Sequence, residues 1–479
     1  MINKIVFWGI CLVIVLLPLP FGAVDEWAVF VFEAATFVLF ILYVVWEVWS
    51  KKNKEQPGAA GRPPFPFWLK MLAVFALGLG VLQLVPLPPS ILGAISPRAS
   101  GIWSGVASRW ATLSLIPNFT LYELVRYVFY FLFALLVYKH VKTRKRVQVF
   151  VILLIGAACF QSIYGLTEFL SGSNKIFGFQ KVLHLDSPTG TFVNRNHFTG
   201  FLGMVFPVSL GFLLAKASFF SGNRRGSFKE RILWFSQEKL QKAVTFGIVP
   251  VSIGVGMFFS LTGIFIFFVS VFLMAAALLG TGGRKPAGAE VSRGTGRRRM
   301  AMRSVKIVRT VLLAVALAAI LIGIRPVIER FSFGELAREV RPVYFNNTLE
   351  IIGDFPMAGT GLGTYRYAYP MYKKTYSGEA LEHAHNDYLE LLAEGGIMGG
   401  GLMIVIAFGA LVWIFSKWAR RRDHLVRGVG IGCLIGIVSI LIHSLTDFNL
   451  HITANAVYFV TLYALAARLV GLNSSRVLR

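Results

Sequence analysis

Charge is scarce in this chain. Only 15% of its 479 residues are Asp, Glu, Lys or Arg, against about 25% in an ordinary soluble domain, and the acidic side is thinner than the basic, with 23 residues against 48. That shortage excludes a large solvated globule. Cysteine is scarcer still: Cys11, Cys159 and Cys433 all fall inside apolar runs, so they read as small core residues, with no CxxC site and no disulfide framework. The chain lacks HExxH-type spacing, and no strand is predicted before its GxGxG stretch at Gly359-Thr360-Gly361-Leu362-Gly363, which excludes a dinucleotide fold. No internal repeat and no soluble domain is visible. Histidine is limited to eight residues, which makes their distribution informative.

What the chain does have is apolar sequence, 56% by composition. The runs are continuous, and most are long enough to cross a hydrocarbon core of about 30 Å; a β-barrel would instead show short alternating segments. Spans are expected over 5–21, 27–49, 67–85, 121–138, 147–170, 198–215, 244–260, 262–280, 307–324, 396–415, 426–444 and 454–470. The expectation is an all-α polytopic membrane protein of about twelve transmembrane helices, forming a single membrane domain over residues 1–479. The seventh and eighth runs meet at Thr262-Gly263, so they also fit one re-entrant or broken helix. The first run has no small-residue cleavage site after it and reads as a retained helix.

The net charge of +25 would suggest nucleic acid in a soluble protein. Here it has a topological reading. Roughly three-quarters of the 48 basic residues fall in alternate connections, including Lys139–Arg146, Lys216–Lys242, Arg284–Arg309 and Lys417–Arg427. The positive-inside rule makes that side cytoplasmic, together with both termini. The Gly- and Arg-rich segment 281–306 is expected to be a topology anchor and linker. Segments 86–120, 171–197, 325–395 and 445–453 then face outward, and His184, His197, His383, His385, His443 and His451 fall on or near them.

Segment 325–395, between the ninth and tenth spans, is too long for a simple connector. It begins with helical spacing over Ile328–Arg341 and Phe345–Ile352, stopped by Asp354-Phe355-Pro356. Gly359-Thr360-Gly361-Leu362-Gly363-Thr364 follows, read first as a tight turn allowing close backbone approach. Tyr365, Tyr367, Tyr369, Tyr372 and Tyr376 come next and are expected to be interfacial anchors. Then stand His383-Ala384-His385-Asn386-Asp387. Asn386 suits an N-cap, with Asp387 and Glu390 in the first turn, so a helix is expected from about Asp387, interrupted at Gly395-Gly396. Its free N–H groups would seat an anion beside the histidines.

Imidazole can exchange a proton near neutral pH. Arg325, Arg330, Arg338, Arg341 and Arg366 share the loop, and arginines clamp diphosphates and stabilise departing phosphate charge. Together these fit transfer from a diphosphate leaving group to an acceptor hydroxyl. A metal pair and a structural hydrogen-bonded site are the competing readings of HxH. A metal would want a third ligand, for which Glu382 and Asp387 are candidates; the reading preferred is no metal and no cofactor.

These residues resemble the O-antigen ligase and O-antigen polymerase family of bacterial envelope glycosyltransferases. The resemblance is carried by Arg341, Ile351-Ile352, Pro356, Gly359–Tyr365, His383–Leu389, Glu394-Gly395-Gly396 and Gly399, with further family-like segments at Gly190–Phe198 and His443–Asn449. It covers roughly 150–460, strongest over 245–415. It implies glycan transfer from undecaprenyl diphosphate on the periplasmic face of the bacterial inner membrane, with lipid A–core, another glycan or a protein as acceptor, no metal, and no nucleic-acid partner. Carried over residue by residue, His385 would be the general base and His383 a weaker second. Arg341 would bind the donor diphosphate, with Arg195, Arg338 and Arg366 as further candidates, and Asn386, His197, Gly361 and Gly363 would support the site. Family members often carry a Ser-Arg-Gly-Gly-like element where this chain has Ser260-Leu261-Thr262-Gly263, so another arginine would have to serve.

A transporter is the alternative class. It would need charges or a helix break near the midplane, for which Glu168, Glu123, Arg126 and Thr262-Gly263 are the candidates.

Overall fold

The computed structural model describes residues 2–52, 67–106, 110–217, 257, 260–280, 341–374 and 381–472. The spans expected over 244–260 and 307–324, the linker 281–306, and Arg325, Arg330, Arg338 and Tyr376 lie outside the described residues, apart from Met257 and Ser260.

The described chain is helical apart from one two-residue hairpin, β1 (Lys175–Ile176) and β2 (Phe179–Gln180). The principal helices are α1 (Ile2–Leu16), α2 (Glu26–Lys52), α3 (Phe67–Leu82), α4 (Pro89–Ile95), α5 (Pro97–Ser104), α6 (Pro117–His140), α7 (Arg144–Ser171), α8 (Arg195–Ala217) and α9 (Leu261–Gly280). After them come α10 (Arg341–Asp354), α11 (Tyr365–Ala368), α12 (Asp387–Gly396), α13 (Leu402–Trp418), α14 (His424–His443) and α15 (Thr453–Leu469). Among the described residues six stretches are long and apolar enough to cross a membrane: Glu26–Ser50, Pro117–His140, Arg144–Ser171, Arg195–Ala215, Asp387–Trp418 and His424–His443. This is a multi-pass, all-α membrane protein.

Local sequence explains the ends. Thr143 caps α7 by accepting from the Arg146 N–H, and Gly172 ends it in the left-handed conformation. Asp423 caps α14 through the Val426 N–H and is also held by the Arg144 guanidinium, Nη2 to Oδ2 at 2.5 Å. The helix is interrupted at Gly396 as expected: its φ is +62° and the N–H groups of Ile397 and Met398 bond Pro356 O and Met357 O, after which a π turn, Ile397–Gly401, leads into α13.

The central pair is α8 and α14. Gly428, Gly432 and Gly436 recur every fourth residue on α14. A Cβ on each would run into the α8 backbone, at Gly211 O, Pro207 O and Met204 O respectively. The partners descend as the glycines ascend, so the helices are antiparallel and meet backbone to backbone, the small-xxx-small packing of membrane helices. One large core surrounds this pair and takes in α1, α6, α7 and α15, with Ile10, Phe133, Phe150, Phe201, Ile437 and Tyr458 buried in it.

A second, separate core packs against α12. It joins Leu92, Ala99, Ala111 and Leu113 from the 86–120 segment to Ile351, Phe355, Tyr365, Tyr369, Ala384 and Ala393. This corrects the reading of the tyrosines. Tyr365 and Tyr369 are buried; the Tyr365 hydroxyl bonds Thr348 Oγ1 at 2.8 Å, and the Tyr369 hydroxyl accepts from Asn347 Nδ2 at 3.0 Å. They are core residues of this second cluster and not interfacial anchors. Tyr372 donates to Asp354 Oδ2.

The glycine loop belongs to the same knot. Thr360 N–H donates to Ala393 O and Gly361 N–H to Glu394 O, while Gln83 Nε2 donates to both Ala358 O and Glu394 O. Gly361 has φ +110°, and a Cβ there would strike Ser114 and Thr120. The loop's other N–H groups are spent within the protein as well, Gly359 on Phe355 O, Leu362 on Gln83 Oε1 and Tyr365 on Glu394 Oε1, so the loop is a close-approach turn and offers no phosphate cradle.

Candidate functional site: two histidine–carboxylate clusters

The sequence Asn386-Asp387 starts α12 as expected, and the Asn386 side chain accepts from the N–H groups of Tyr388 and Leu389 at 3.0 and 3.1 Å. The remaining first-turn donors are also taken: Asp387 N–H bonds Ser444 O and Glu390 N–H bonds Asn386 O. The helix N-terminus is therefore fully capped and is not the open anion seat expected from sequence. Its two carboxylates face histidines instead.

The first cluster is built on Asp447, in the short connection between α14 and α15. Its carboxylate is 1% exposed and lies 3.3 Å from His385 Nδ1 and 3.6 Å from His197 Nε2. Asn196 Nδ2 donates to Oδ2 at 2.8 Å and the Phe448 N–H to Oδ1 at 2.9 Å. Burial raises the carboxyl's pKa, but His197 and His385 outweigh it and hold the group well below the carboxylate range. The His385 contact is close enough for attraction but off the line of a hydrogen bond, since its buried Nδ1 has no bonded partner; such contacts commonly tighten when substrate binds. His385 also carries φ +51°, a backbone cost that only surrounding structure can hold in place. Its ring stacks on Tyr344, at 6.1 Å between centroids.

The second cluster is built on Glu390 and Asp387 of α12. Glu390 Oε1 lies 2.7 Å from His383 Nδ1 and 3.2 Å from His451 Nε2, and Oε2 accepts from the Ala384 N–H at 2.8 Å. Asp387 Oδ1 takes the other His451 nitrogen at 2.9 Å. Burial disfavours charge on His451, yet Glu390 and Asp387 raise its pKa to about 10, so it is an imidazolium locked between two carboxylates. The ligand atoms of His383, Glu390 and His451 lie within 4.8 Å of one another, a set with the chemistry to hold a metal ion. The third-ligand candidates read from sequence were Glu382 and Asp387; the structure brings Glu390 and His451 to His383 and gives Asp387 to the back of His451.

The Phe448 ring separates the clusters. It stacks on His383 at 4.4 Å and meets His385 and His197 edge-on at 4.9 and 4.6 Å.

The arginines divide. Arg341 opens α10 one turn before Tyr344 and is near enough to bear electrostatically on His443. Arg195 opens α8, beside Asn196 and His197, and is paired with Asp186 at 3.0 Å. Arg366 turns to other partners, its guanidinium 4.8 Å from the ring centres of Phe119 and Tyr367. Ser260, where the resemblance would place an Arg-bearing element, donates to Asn196 Oδ1 at 3.1 Å and so extends the hydrogen-bond chain that ends on Asp447. The midplane charges a transporter would need are locally paired: Glu123 with Arg126 at 3.0 Å, and Glu168 with Lys181 at 3.5 Å.

Sequence reasoning named both HxH histidines but missed Asp447, Glu390 and His451 as their partners. Asp447 stood inside the quoted segment His443–Asn449, which was the available signal.

Fold and site together define a multi-pass helical membrane protein whose histidine–carboxylate clusters gather at the ends of its long apolar helices. Comparison with protein families supplies the rest: residues 231–404 match the family described as O-antigen ligase, and the resemblance to that family is thereby shown. The matched segment holds Arg341, the glycine loop and both HxH histidines, while Asp447, His451, His197 and Arg195 lie in its flanks. No curated protein matches the chain. The family implies a ligase or glycosyltransferase type of enzyme acting in surface polysaccharide biosynthesis.

Proposed function

We propose that the chain transfers a glycan from undecaprenyl diphosphate to an acceptor hydroxyl at the periplasmic face of the inner membrane. The observation that carries the reading is the Asp447–His385 pair beside Tyr344 and the start of α10. With Nδ1 turned to the carboxylate, His385 offers Nε2 to solvent and substrate; its side chain is 26% exposed. In the step, the acceptor oxygen bonds to the anomeric carbon and its proton passes to His385. The bond from that carbon to the diphosphate oxygen breaks, and the lipid diphosphate leaves with the bonding pair. Arg341 takes the growing negative charge, with Arg195 as second donor-binding residue. Asp447 is a positioning residue. It fixes the ring and stabilises the imidazolium, the role of the carboxylate in hydrolase triads. The chemistry is proposed to need no metal, and the acceptor is a glycan, lipid A–core or protein hydroxyl.

The test is transfer from lipid-diphosphate-linked glycan by the purified protein in proteoliposomes. His385→Ala and Arg341→Ala should insert at normal levels and lose transfer, and chelator should leave the parent rate unchanged. Full activity in His385→Ala would remove the imidazole from the mechanism. Gel analysis of surface polysaccharide from a deletion strain sorts the acceptor: polymer absent from lipid A–core indicates ligation, single-repeat products polymerisation, and a shifted protein band protein glycosylation.

A further inference from the structure

A greasy projection stands at the Ser171 end of α7. Along that helix Ile152, Phe160, Ile163 and Leu170 are exposed, at separations of eight, three and seven residues that keep them on one side, an apolar stripe on a helix of 28 residues, long enough to cross a bilayer. The chain then leaves through Gly172 and turns back at Phe177-Gly178, whose φ values of +48° and +89° are those of a tight hairpin turn between twisted strands. Ile176 is buried, but Phe177, Phe179, Val182, Leu183 and Leu185 are 50%, 65%, 78%, 53% and 49% exposed. Five large apolar side chains within nine residues form a patch that water alone does not favour.

The patch is continuous with the lipid-facing stripe. Phe177 packs on Tyr164 at 5.0 Å, and Tyr164 stacks on Phe160 of the stripe at 5.8 Å. The Tyr164 hydroxyl accepts from the Phe177 N–H at 2.8 Å, so the aromatic that fastens the hairpin sits at the helix end where amphipathic rings occupy the membrane–water boundary. The underside is fixed independently: Lys181, 2% exposed, donates to Ser187 O at 2.7 Å and lies 3.5 Å from Glu168 of α7. The hairpin cannot fold its apolar face inward without breaking that buried pair.

We propose that residues 177–185 lie in the bilayer interface, apolar side chains among the upper acyl groups, as a membrane-seated finger. The occupant of the patch is lipid. The finger ends at Asp186, which holds Arg195 at the head of α8, next to Asn196 and His197, so lipid contact sets the position of one wall of the site. The placement does not depend on the transfer chemistry.

The experiment uses the full chain in phosphatidylethanolamine–phosphatidylglycerol nanodiscs, with Val182→Cys carrying a nitroxide and the parent chain labelled in parallel to correct for native cysteines. Val182 is 78% exposed, so the substitution removes no packing. Power saturation should give a higher collision rate with dissolved oxygen than with the water-soluble nickel chelate NiEDDA. A higher rate with the nickel chelate would place the finger in water and overturn the proposal. Protection from both reagents would place a protein on the patch and overturn it equally.

Discussion

The two histidine–carboxylate clusters share the Phe448 ring and differ in their charge balance. Around Asp447 one carboxylate faces two imidazoles, an amide and a backbone N–H. Donors are in excess, and among the described residues none bonds the Nε2 of His385. Around Glu390 and Asp387 two carboxylates face two imidazoles, and both nitrogens of His451 are consumed. An imidazole with one nitrogen committed can exchange a proton; one with both committed is a structural cation. Under the proposed function His385 is the proton-exchanging imidazole and His451, held at both nitrogens, is the structural cation.

The largest break in that contrast should come from Asp447→Asn. It leaves the ring of His385 without its anion, and transfer should fall by about 10²- to 10⁴-fold, the usual worth of a positioned base. The loss should appear in kcat with KM little changed and should far exceed the accompanying loss of thermal stability. Equal losses of stability and rate would make Asp447 as structural as Glu390.

Glu390→Gln should behave the opposite way. It uncovers a buried His451 cation, and removing one partner of a buried ion pair costs about 3–5 kcal/mol. Unfolding temperature should drop markedly while residual folded protein keeps transfer activity. A stable but inactive variant would move the chemistry to this cluster.

A smaller effect is expected from pH. The His451 pKa is raised to about 10 in the folded chain, above about 6.5 for free histidine. Its stabilisation is therefore fully present below about pH 6.5 and is lost as pH rises through about 10. The sign is reversed for Asp447, whose lowered pKa gives stability present above the free carboxylate range and lost as pH falls. Thermal unfolding of the parent and of His451→Gln between neutral and alkaline pH should converge at the alkaline end. Curves that stay parallel would deny the charged pair.

The smallest effect belongs to Arg366→Ala. Its guanidinium rests on Phe119 and Tyr367, an exposed contact worth about 0.5–1 kcal/mol, and transfer should stay close to the parent rate. A loss as deep as that of Arg341→Ala would return Arg366 to the donor site.

Local chemistry made part of this legible. Asn386 was readable as a cap because its two N–H partners follow it directly, and the apolar runs announced the helices by length. The partners of the histidines were not, because 64 residues separate Asp387 from His451 and no periodicity links them. The tyrosines misled for a related reason. Alternation of Tyr365, Tyr367 and Tyr369 looks interfacial until the 86–120 segment supplies Leu92, Ala99 and Leu113 to cover two of them, a pairing that only tertiary structure reveals.

The glycine column of α14 has a mechanical corollary. Because Gly428, Gly432 and Gly436 bring two backbones into direct contact, little side-chain volume is left to deform between α8 and α14 at these three levels. Asn196 at the head of one helix and Asp447 just past the tail of the other therefore travel as a single rigid strut. In the proposed transfer, the motion that admits the donor is therefore expected at α10 and α12 and not between α8 and α14.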